Sequence, residues 1–191
     1  MHWETGRLSE VTVLFADCRE YTRLTHELGI EKLAPITAEF FKATARIVTE
    51  HDGIVDRLLG DASMAFFNVP IKHDDHVARA VKAALAIQEG VTNINSMLEG
   101  GFVLNVGIGI ATGTALASNM GSANCSDYTM VGDAINIASR LQDEAGPGEI
   151  LLTQDAYDIV RADFPLTERR EYQLKGIDQP VVAYAIKRGM R

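Results

Sequence analysis

The chain has 191 residues, of which 47% are hydrophobic, and its formal net charge is -8. This length and apolar content suit one compact domain with a substantial core, whereas the negative charge opposes binding to nucleic acid, whose phosphates require excess Lys and Arg on the partner. No apolar run is long enough to cross a bilayer, and Cys18 and Cys125 form neither a disulfide framework nor a zinc pattern. We therefore expect a cytoplasmic domain whose cysteines are free thiols.

The first part of the chain predicts a strand, a helix and a hairpin. A β-rich run at 11–16 predicts the strand, and apolar residues then recur at helical spacing over 33–48. Apolar segments at 54–59 and 63–69 flank a Gly-Asp turn, so we expect a hairpin with Asp61 at its tip.

The second part of the chain predicts another long helix and several strands. The helix is expected from Asp74 to just before Gly100. The run 102–117 contains several glycines and predicts two strands with a turn near Thr112 and Gly113. The remaining predicted elements are a strand at 127–131, a helix at 133–144, a strand at 150–153, a short helix to about 161, and strands at 171–174 and 181–186.

This order of elements is that of a ferredoxin-like split βαββαβ core of the palm type, followed by a C-terminal αβ extension. We therefore predict an α+β fold with a mixed sheet covered by helices. No repeat or linker divides the chain, so one domain is expected over residues 10–191. Residues 1–9 are polar and weakly patterned, and we assign them to an N-terminal junction.

Two acids, Asp17 and Asp61, each lie where an apolar run that predicts a buried strand meets a turn. A single Asp at a strand end is commonly a turn former or a helix cap. A pair is different, because buried carboxylates are costly unless a cation shares them, and paired oxygen ligands suit the divalent metals of phosphoryl chemistry. The helical stretch that begins after Asp17 would also turn its first N–H groups towards a phosphate.

The segment 127–141 places Asn136 and Arg140 four residues apart in a predicted helix, so that they share one face. From composition alone, a solvated helix face is the simpler interpretation of this pair.

Two other patterns are set aside. Gly107, Gly109 and Gly113 do not have the spacing of a dinucleotide-binding loop. His73 and His76 fit a polar helix start better than a metal site, because no Cys or Glu stands at companion spacing.

Several motifs, taken in order, resemble the catalytic domain of class III adenylate and guanylate cyclases, and the resemblance runs from about Glu10 to Ile186. The motifs are Asp17 after its strand, the Gly60-Asp61 hairpin, the run 107–113, the segment 127–141 and the triplet Leu174-Lys175-Gly176. The resemblance implies a metal-dependent adenylate cyclase that converts ATP to cyclic AMP and pyrophosphate.

The resemblance also implies a metal half of the site. Asp17 and Asp61 match the two metal-binding aspartates, and the backbone carbonyl of Cys18 matches a further ligand. These residues would hold two divalent cations, Mg²⁺ or Mn²⁺.

The remaining substrate contacts are implied in the same way. Asn136 and Arg140 match the catalytic pair that orients the ribose and stabilises the transition-state phosphate, and Lys175 matches a lysine that meets the terminal phosphates. Tyr21 and Thr22, which follow the first metal-binding aspartate, are counted among the substrate-binding residues.

Arg57 and Thr129 occupy the two positions that select the base in this family. Thr129 favours adenine, whereas Arg57 departs from the usual lysine and carries a larger, planar donor. A donor there could also meet guanine O6, so GTP remains an alternative substrate.

Two further departures bear on activity. Glu20 replaces a usual Gly after Asp17 and adds bulk and negative charge beside the phosphate site, and Ser118 replaces another Gly. They support an alternative in which the domain is a degenerate, nucleotide-binding regulatory module without turnover. A diguanylate cyclase or polymerase-like palm enzyme is a third class, which the segment 127–141 opposes.

Finally, the resemblance implies a head-to-tail homodimer whose two sites are each shared between chains. We also expect a regulatory domain upstream of this chain. The domain itself is expected in the cytoplasm, either alone or as the cytosolic part of a larger membrane-attached protein.

Overall fold

The structure is a computed structural model that describes residues 6, 8–96, 98, 102–119, 128–164 and 167–187. The strands are β1 (Leu8–Cys18), β2 (Ile54–Leu59), β3 (Ala62–Phe67), β4 (Val106–Asn119), β5 (Tyr128–Val131), β6 (Glu149–Thr153), β7 (Glu168–Tyr172) and β8 (Val181–Lys187). The helices are α1 (Tyr21–Leu28), α2 (Ile30–Glu50), α3 (His76–Ser96), α4 (Asp133–Glu144) and α5 (Gln154–Val160). Among these helices, none combines the length and the apolar character needed to span a membrane.

The strands form one eight-stranded mixed sheet in the order β2-β3-β1-β4-β6-β8-β7, with β5 paired to β4. The strands β1 to β4 pair with one another in antiparallel fashion, and β6 pairs with β4 in parallel. With α2 and α3 as the crossovers, these four strands make the predicted βαββαβ core. The α+β fold and its C-terminal αβ extension are therefore confirmed.

The prediction of two strands within 102–117 is wrong. Strand β4 runs without a break from Val106 to Asn119 and pairs with β1 from Cys18 to Leu8. Gly113 lies opposite Val11 within this pair of strands, so it does not mark a turn.

The other predicted boundaries shift by a few residues. Strand β7 ends at Tyr172 and not at residue 174, because the chain turns at Leu174, whose carbonyl accepts a hydrogen bond from Ile177 N at 3.1 Å. Strand β1 begins three residues before its predicted start. Asp127 and Cys125 lie outside the described residues.

The residues of β1 alternate between two apolar layers, as successive side chains of a strand do. Leu14, Ala16 and Cys18 belong to the core formed with α2 and α3. Val13 and Phe15 belong to the layer on the opposite face, to which α4 also contributes. Asp17 continues this second set, so its side chain lies on the α4 face of the sheet.

Helix α4 packs unusually close to β4 because two of the facing residues are glycines. A Cβ at Gly109 would lie 2.2 Å from the carbonyl oxygen of Ala138 and 2.4 Å from the backbone nitrogen of Gln142. A Cβ at Gly107 would lie 2.6 Å from Nε of Arg19. The glycines of the run 107–113 therefore admit a helix and an arginine side chain.

Replacing Gly109 with Ala should force α4 away from the sheet and lower the free energy of unfolding by about 1–3 kcal/mol, the usual cost of overpacking. Gly113→Ala on the same strand is the matched control, since its nearest neighbour would be Ala134 Cβ at 3.4 Å. Urea unfolding of both variants measures the difference, and equal losses would contradict a special role for the contact at Gly109.

Candidate active site

The hairpin between β2 and β3 brings Asp61 to the end of β1, where Asp17 lies. Asp17 pairs with Ala62, the residue after Asp61, and Cys18 N donates a hydrogen bond to the carbonyl oxygen of Asp61 at 3.2 Å. Gly60 adopts a φ of 66°, a left-handed conformation that glycine accepts without steric cost. The register of the β1–β3 pair therefore brings the two acids to one edge of the sheet.

The two carboxylate oxygens of Asp17 have different surroundings. Oδ2 accepts a hydrogen bond from Nε2 of Gln142 at 3.1 Å and lies 3.2 Å from Nη2 of Arg19. Oδ1 is buried, and it has no hydrogen-bond partner within the part of the chain that the structure describes. A buried acceptor without a partner is costly, so this oxygen suits a cation ligand.

The charge around Asp17 also favours a cation. Burial, and then the nearby charge of Asp61, raises the pKa of Asp17 from its ordinary value to about 6. Arg19 and Gln142 lower the pKa of Asp17 but do not offset these effects. A carboxylate whose charge is disfavoured in this way gains from an added positive ion, and the residues present therefore fit a divalent metal.

The side chain of Cys18 takes no part in this group. It is buried in the core on the α2 and α3 side, and burial, reinforced by the charges of Asp17 and Asp61, raises the pKa of the Cys18 thiol well above its usual range. A thiol held in the neutral form is a poor metal ligand, which leaves the backbone carbonyl as the group that Cys18 can offer.

Helix α1 begins immediately after this edge. Its first intrahelical bond runs from Leu24 N to Glu20 O at 3.0 Å, so the amides of the first turn have no carbonyl partners within the helix. Thr22 is exposed, whereas the ring of Tyr21 packs against the core and its hydroxyl oxygen accepts a 3.4 Å hydrogen bond from Thr37. Of these two residues, Thr22 is the more exposed, and Tyr21 is partly buried.

Glu20 stands in a conformation that suits glycine. Its φ is 58° and its ψ is 27°, which places it in the left-handed region where a side chain costs roughly 1–2 kcal/mol. Its carboxylate forms an exposed ion pair with Arg23. The departure from Gly at this position is therefore a strained substitution as well as an added negative charge.

Asn136, Arg140 and Lys175 line one open pocket of about 450 Å³. The first two lie on one face of α4, as the spacing predicts, and Asp133 and Ile177 also border the pocket. Arg140 donates to Oδ2 of Asp143 at 3.2 Å, and both side chains are largely exposed. Such a pair is weak, so the guanidinium can turn to an anionic ligand at small cost.

A tight turn presents Lys175 beside α4. The Ile177 N–H group bonds to the carbonyl of Leu174 across the turn, and Gly176 at the third position has a φ of 78°, as turns of this type require. Leu174 is buried against Leu141 of the same helix. In the triplet 174–176, Leu174 therefore packs in the core, Gly176 allows the turn, and Lys175 extends to the pocket.

The two residues predicted to select the base, Arg57 and Thr129, are only partly described. Arg57 lies on β2 next to an irregularity in its pairing with β3, and its Nε is 3.3 Å from Oδ2 of Asp56. Thr129 lies in β5, where its backbone pairs with that of Ser118, and the side chains of both of these residues fall outside the description.

The polar residues thus form two groups on one chain. Asp17 and Asp61 lie at the hairpin edge, and neither is among the described residues that line the pocket of Asn136, Arg140 and Lys175. Helix α4 joins the two groups, since Gln142 contacts Asp17 while Arg140 faces the pocket.

Sequence reasoning missed the contacts that Arg19 and Gln142 make with Asp17. A signal for Gln142 was present, because Ala134, Ala138 and Gln142 recur every four residues and two small apolar residues predict a buried stripe. A polar residue in such a stripe needs a buried partner. No comparable signal identifies Arg19, whose place depends on the space left by Gly107.

This fold and these motifs belong to a known class of protein. The chain matches the model of the adenylate and guanylate cyclase catalytic domain over residues 3–188, and it is therefore a member of this cyclase family.

Individual relatives include cyclases of both kinds. Adenylate cyclase 1 of Rhizobium meliloti is 31% identical over 135 residues, which cover 70% of this chain and 20% of that protein. The crystal structure of the guanylyl cyclase Cya2 has a TM-score of 0.88 at 27% identity, covering 95% of this chain and 93% of that one. The adenylyl cyclase CyaB from P. aeruginosa has a TM-score of 0.85 at 26% identity, with 95% of each chain covered.

These similarities cover a single domain, and they do not distinguish adenine from guanine as the base of the substrate. The chain spans 20% of the Rhizobium protein and 32% of an uncharacterised Mycobacterium tuberculosis relative. The two structures, one an adenylyl and one a guanylyl cyclase, resemble it almost equally.

Glu20→Gly should be more stable than Glu20→Ala by roughly 1 kcal/mol, because both remove the carboxylate but only glycine accepts the left-handed backbone freely. Urea unfolding of the two variants measures this difference directly. Equal stabilities would mean that the backbone at residue 20 is not held at positive φ.

Proposed function

We propose that this domain is an adenylate cyclase that converts ATP to cyclic AMP and pyrophosphate in a site shared by two copies of the chain. The observation that carries the proposal is the separation just described, in a chain of the cyclase family: two acids at one edge, and Asn136, Arg140 and Lys175 around a pocket elsewhere. Neither group alone supplies both the ligands for a metal and the donors for a triphosphate.

The metal half consists of Asp17, Asp61 and the carbonyl of Cys18, which would hold two divalent cations, Mg²⁺ or Mn²⁺. Oxygen ligands of this kind suit both ions, and the unpartnered Oδ1 of Asp17 supports the assignment. When bound, such cations lower the pKa of an attacking hydroxyl and neutralise the charge of the triphosphate.

The other half positions the substrate. Asn136 orients the ribose so that its 3′ oxygen approaches the α-phosphorus in line with the leaving group. The 3′ hydroxyl loses its proton to solvent water as the new P–O bond forms, the bond from the α-phosphorus to the bridging oxygen breaks, and pyrophosphate departs with that electron pair. Arg140 donates hydrogen bonds to the α-phosphate oxygens as their charge develops, which is worth roughly 10²–10³ in rate for one such donor.

The triphosphate requires additional positive contacts. We propose that Lys175, which lines the pocket beside α4, meets the terminal phosphates. The free amides at the start of α1, around Tyr21 and Thr22, offer further donors to phosphate oxygens. Positioning and charge stabilisation then account for most of the catalysis, as they do in other phosphoryl transfers.

The homodimer follows from the separation of the two groups. A head-to-tail pair would place the acids of one copy against the pocket of the other, giving two equivalent sites by symmetry. In this arrangement the isolated chain holds two incomplete halves.

Arg57 and Thr129 are proposed to select adenine. Thr129 suits the adenine amino group as an acceptor, and the Arg57 guanidinium is a donor for adenine N1. The same donor could meet guanine O6, so GTP is the alternative substrate that must be assayed in parallel.

Glu20 favours a second candidate function, a nucleotide-binding regulatory module without turnover. Its strained backbone and its carboxylate lie at the start of α1, where a phosphate would bind, and a like charge there opposes binding. The intact set of Asp17, Asp61, Asn136 and Arg140 supports catalysis instead. In either case, we propose that the domain acts in the cytosol together with an upstream regulatory domain. The chain spans only 20% and 32% of two of its relatives, which leaves room for such a domain in a longer protein.

Product analysis with ATP and GTP, each with Mg²⁺ and with Mn²⁺, tests the proposal. We expect cyclic AMP as the main product, and a loss of more than about 100-fold in Asp61→Ala, since the metal-dependent steps then fail. Asp158→Ala is the control, because it removes an exposed aspartate from α5.

Equal product from the parent and Asp61→Ala would overturn the metal assignment. Cyclic GMP as the main product would overturn the roles given to Arg57 and Thr129. Binding of ATP without any product, in a protein shown to be dimeric, would favour the regulatory module.

A further inference from the structure

Gln142 is a buried polar residue with a defined partner at the metal half of the site. Its exposed fraction is 4%, and its Nε2 donates to Oδ2 of Asp17 at 3.1 Å. Nη2 of Arg19 approaches the same oxygen at 3.2 Å. One hydrogen bond from Gln142 and one ion-pair contact from Arg19 therefore converge on Oδ2, while Oδ1 has no hydrogen-bond partner among the described residues.

The backbone of Gln142 is held rigidly relative to Asp17. Gly109 brings β4 so close to α4 that a Cβ there would lie 2.4 Å from Gln142 N and 3.0 Å from its Cα. Two residues earlier on the same strand, Gly107 pairs with Asp17. The amide donor on α4 and the carboxylate acceptor on β1 are therefore both packed against the same strand, β4.

The chemistry of an amide suits this place. A carboxylate with one oxygen held by a donor cannot rotate freely, so its other oxygen keeps a fixed direction. The amide adds no charge, and the carboxylates of Asp61 and Asp143 already lie close enough to Asp17 to interact with its charge. A glutamate at 142 would add another negative charge and remove the donor.

We infer that Gln142 is a positioning residue for metal binding, which holds Oδ2 of Asp17 so that Oδ1 faces the cation. This inference rests on the proposed role of Asp17 as a metal ligand. It assigns to α4 a function at the metal half of its own chain, in addition to the pocket that Asn136 and Arg140 line.

The test is Mn²⁺ binding to the ATP-free protein, measured from the electron paramagnetic resonance signal of free Mn²⁺. Gln142→Met keeps the length and helix propensity of the side chain but removes the donor. Outer-sphere partners of this kind typically contribute 10–100-fold to metal affinity, so the Mn²⁺ dissociation constant should rise by about that factor. Cyclase activity, if present, should recover at high Mn²⁺ with little change in the KM for ATP.

Gln88→Met is the matched control. Gln88 is 5% exposed, and its Nε2 donates a hydrogen bond to the backbone oxygen of Val106 in β4 at 2.9 Å. Both variants lose one buried hydrogen bond and should lose similar stability. Only Gln142→Met should weaken Mn²⁺ binding. If Gln142 had a purely structural role, the two variants would bind Mn²⁺ equally well.

Gln142→Asn is a further variant at the same position, which guards against misfolding of Gln142→Met. Asp17→Asn separates this inference from the proposed function. Gln142→Asn keeps an amide but is one methylene too short to reach Asp17, so it should also weaken Mn²⁺ binding. Unchanged affinity in a folded variant at position 142, or an equal loss in Gln88→Met, would overturn the inference. If Asp17→Asn itself leaves Mn²⁺ binding unchanged, the metal site of the proposed function fails as well.

Discussion

Helix α4 lies so close to strand β4 that a Cβ at Gly109 would come within 2.2 Å of the carbonyl oxygen of Ala138. Both groups of polar residues depend on this approach. On its inner side, the helix carries Gln142 to within hydrogen-bond distance of Asp17. On its outer side, it presents Asn136 and Arg140 to the pocket that Lys175 completes. Because packed interiors tolerate little displacement, a helix fixed in this way holds both groups in constant relation to the sheet.

This arrangement gives α4 a double role in the proposed dimer. Its inner face would support the metal half of one site, while its outer face would complete the other site with the partner. The Arg140 guanidinium pairs with the exposed carboxylate of Asp143, and such a weak pair leaves it available for a phosphate. The unpartnered oxygen of Asp17 is available for a cation. In the proposed dimer, each chain would therefore contribute two half-sites with unmet electrostatic requirements, and the metal half of one chain and the pocket half of the other would bind one nucleotide.

The sequence predicts much of this, but not the contacts between distant elements. Alternation and helical spacing locate β1, the β2–β3 hairpin and α4, and the four-residue spacing of Asn136 and Arg140 places them on one face. The continuous strand β4 was mistaken for two because its glycines suggest a turn, whereas in the fold they admit α4 and Arg19. The strain at Glu20 could be anticipated only from the resemblance, since a glutamate gives no local indication of positive φ. The contact between Gln142 and Asp17 joins residues that are 125 positions apart, and periodicity carries no information on such pairs.

The claim that two chains build each site can be tested by mixing inactive variants. Asp61→Ala lacks the metal half and Asn136→Ala lacks the pocket half, so each alone should be inactive. Coexpressed or refolded together, they should form mixed dimers with one intact site. Random pairing then gives about a quarter of the wild-type cyclic AMP production, since half the dimers are mixed and one of their two sites is intact. A mixture of Asp61→Ala with Asp17→Asn, both altered in the metal half, should stay inactive. No recovery from Asp61→Ala with Asn136→Ala, in preparations shown to contain mixed dimers, would contradict a shared site.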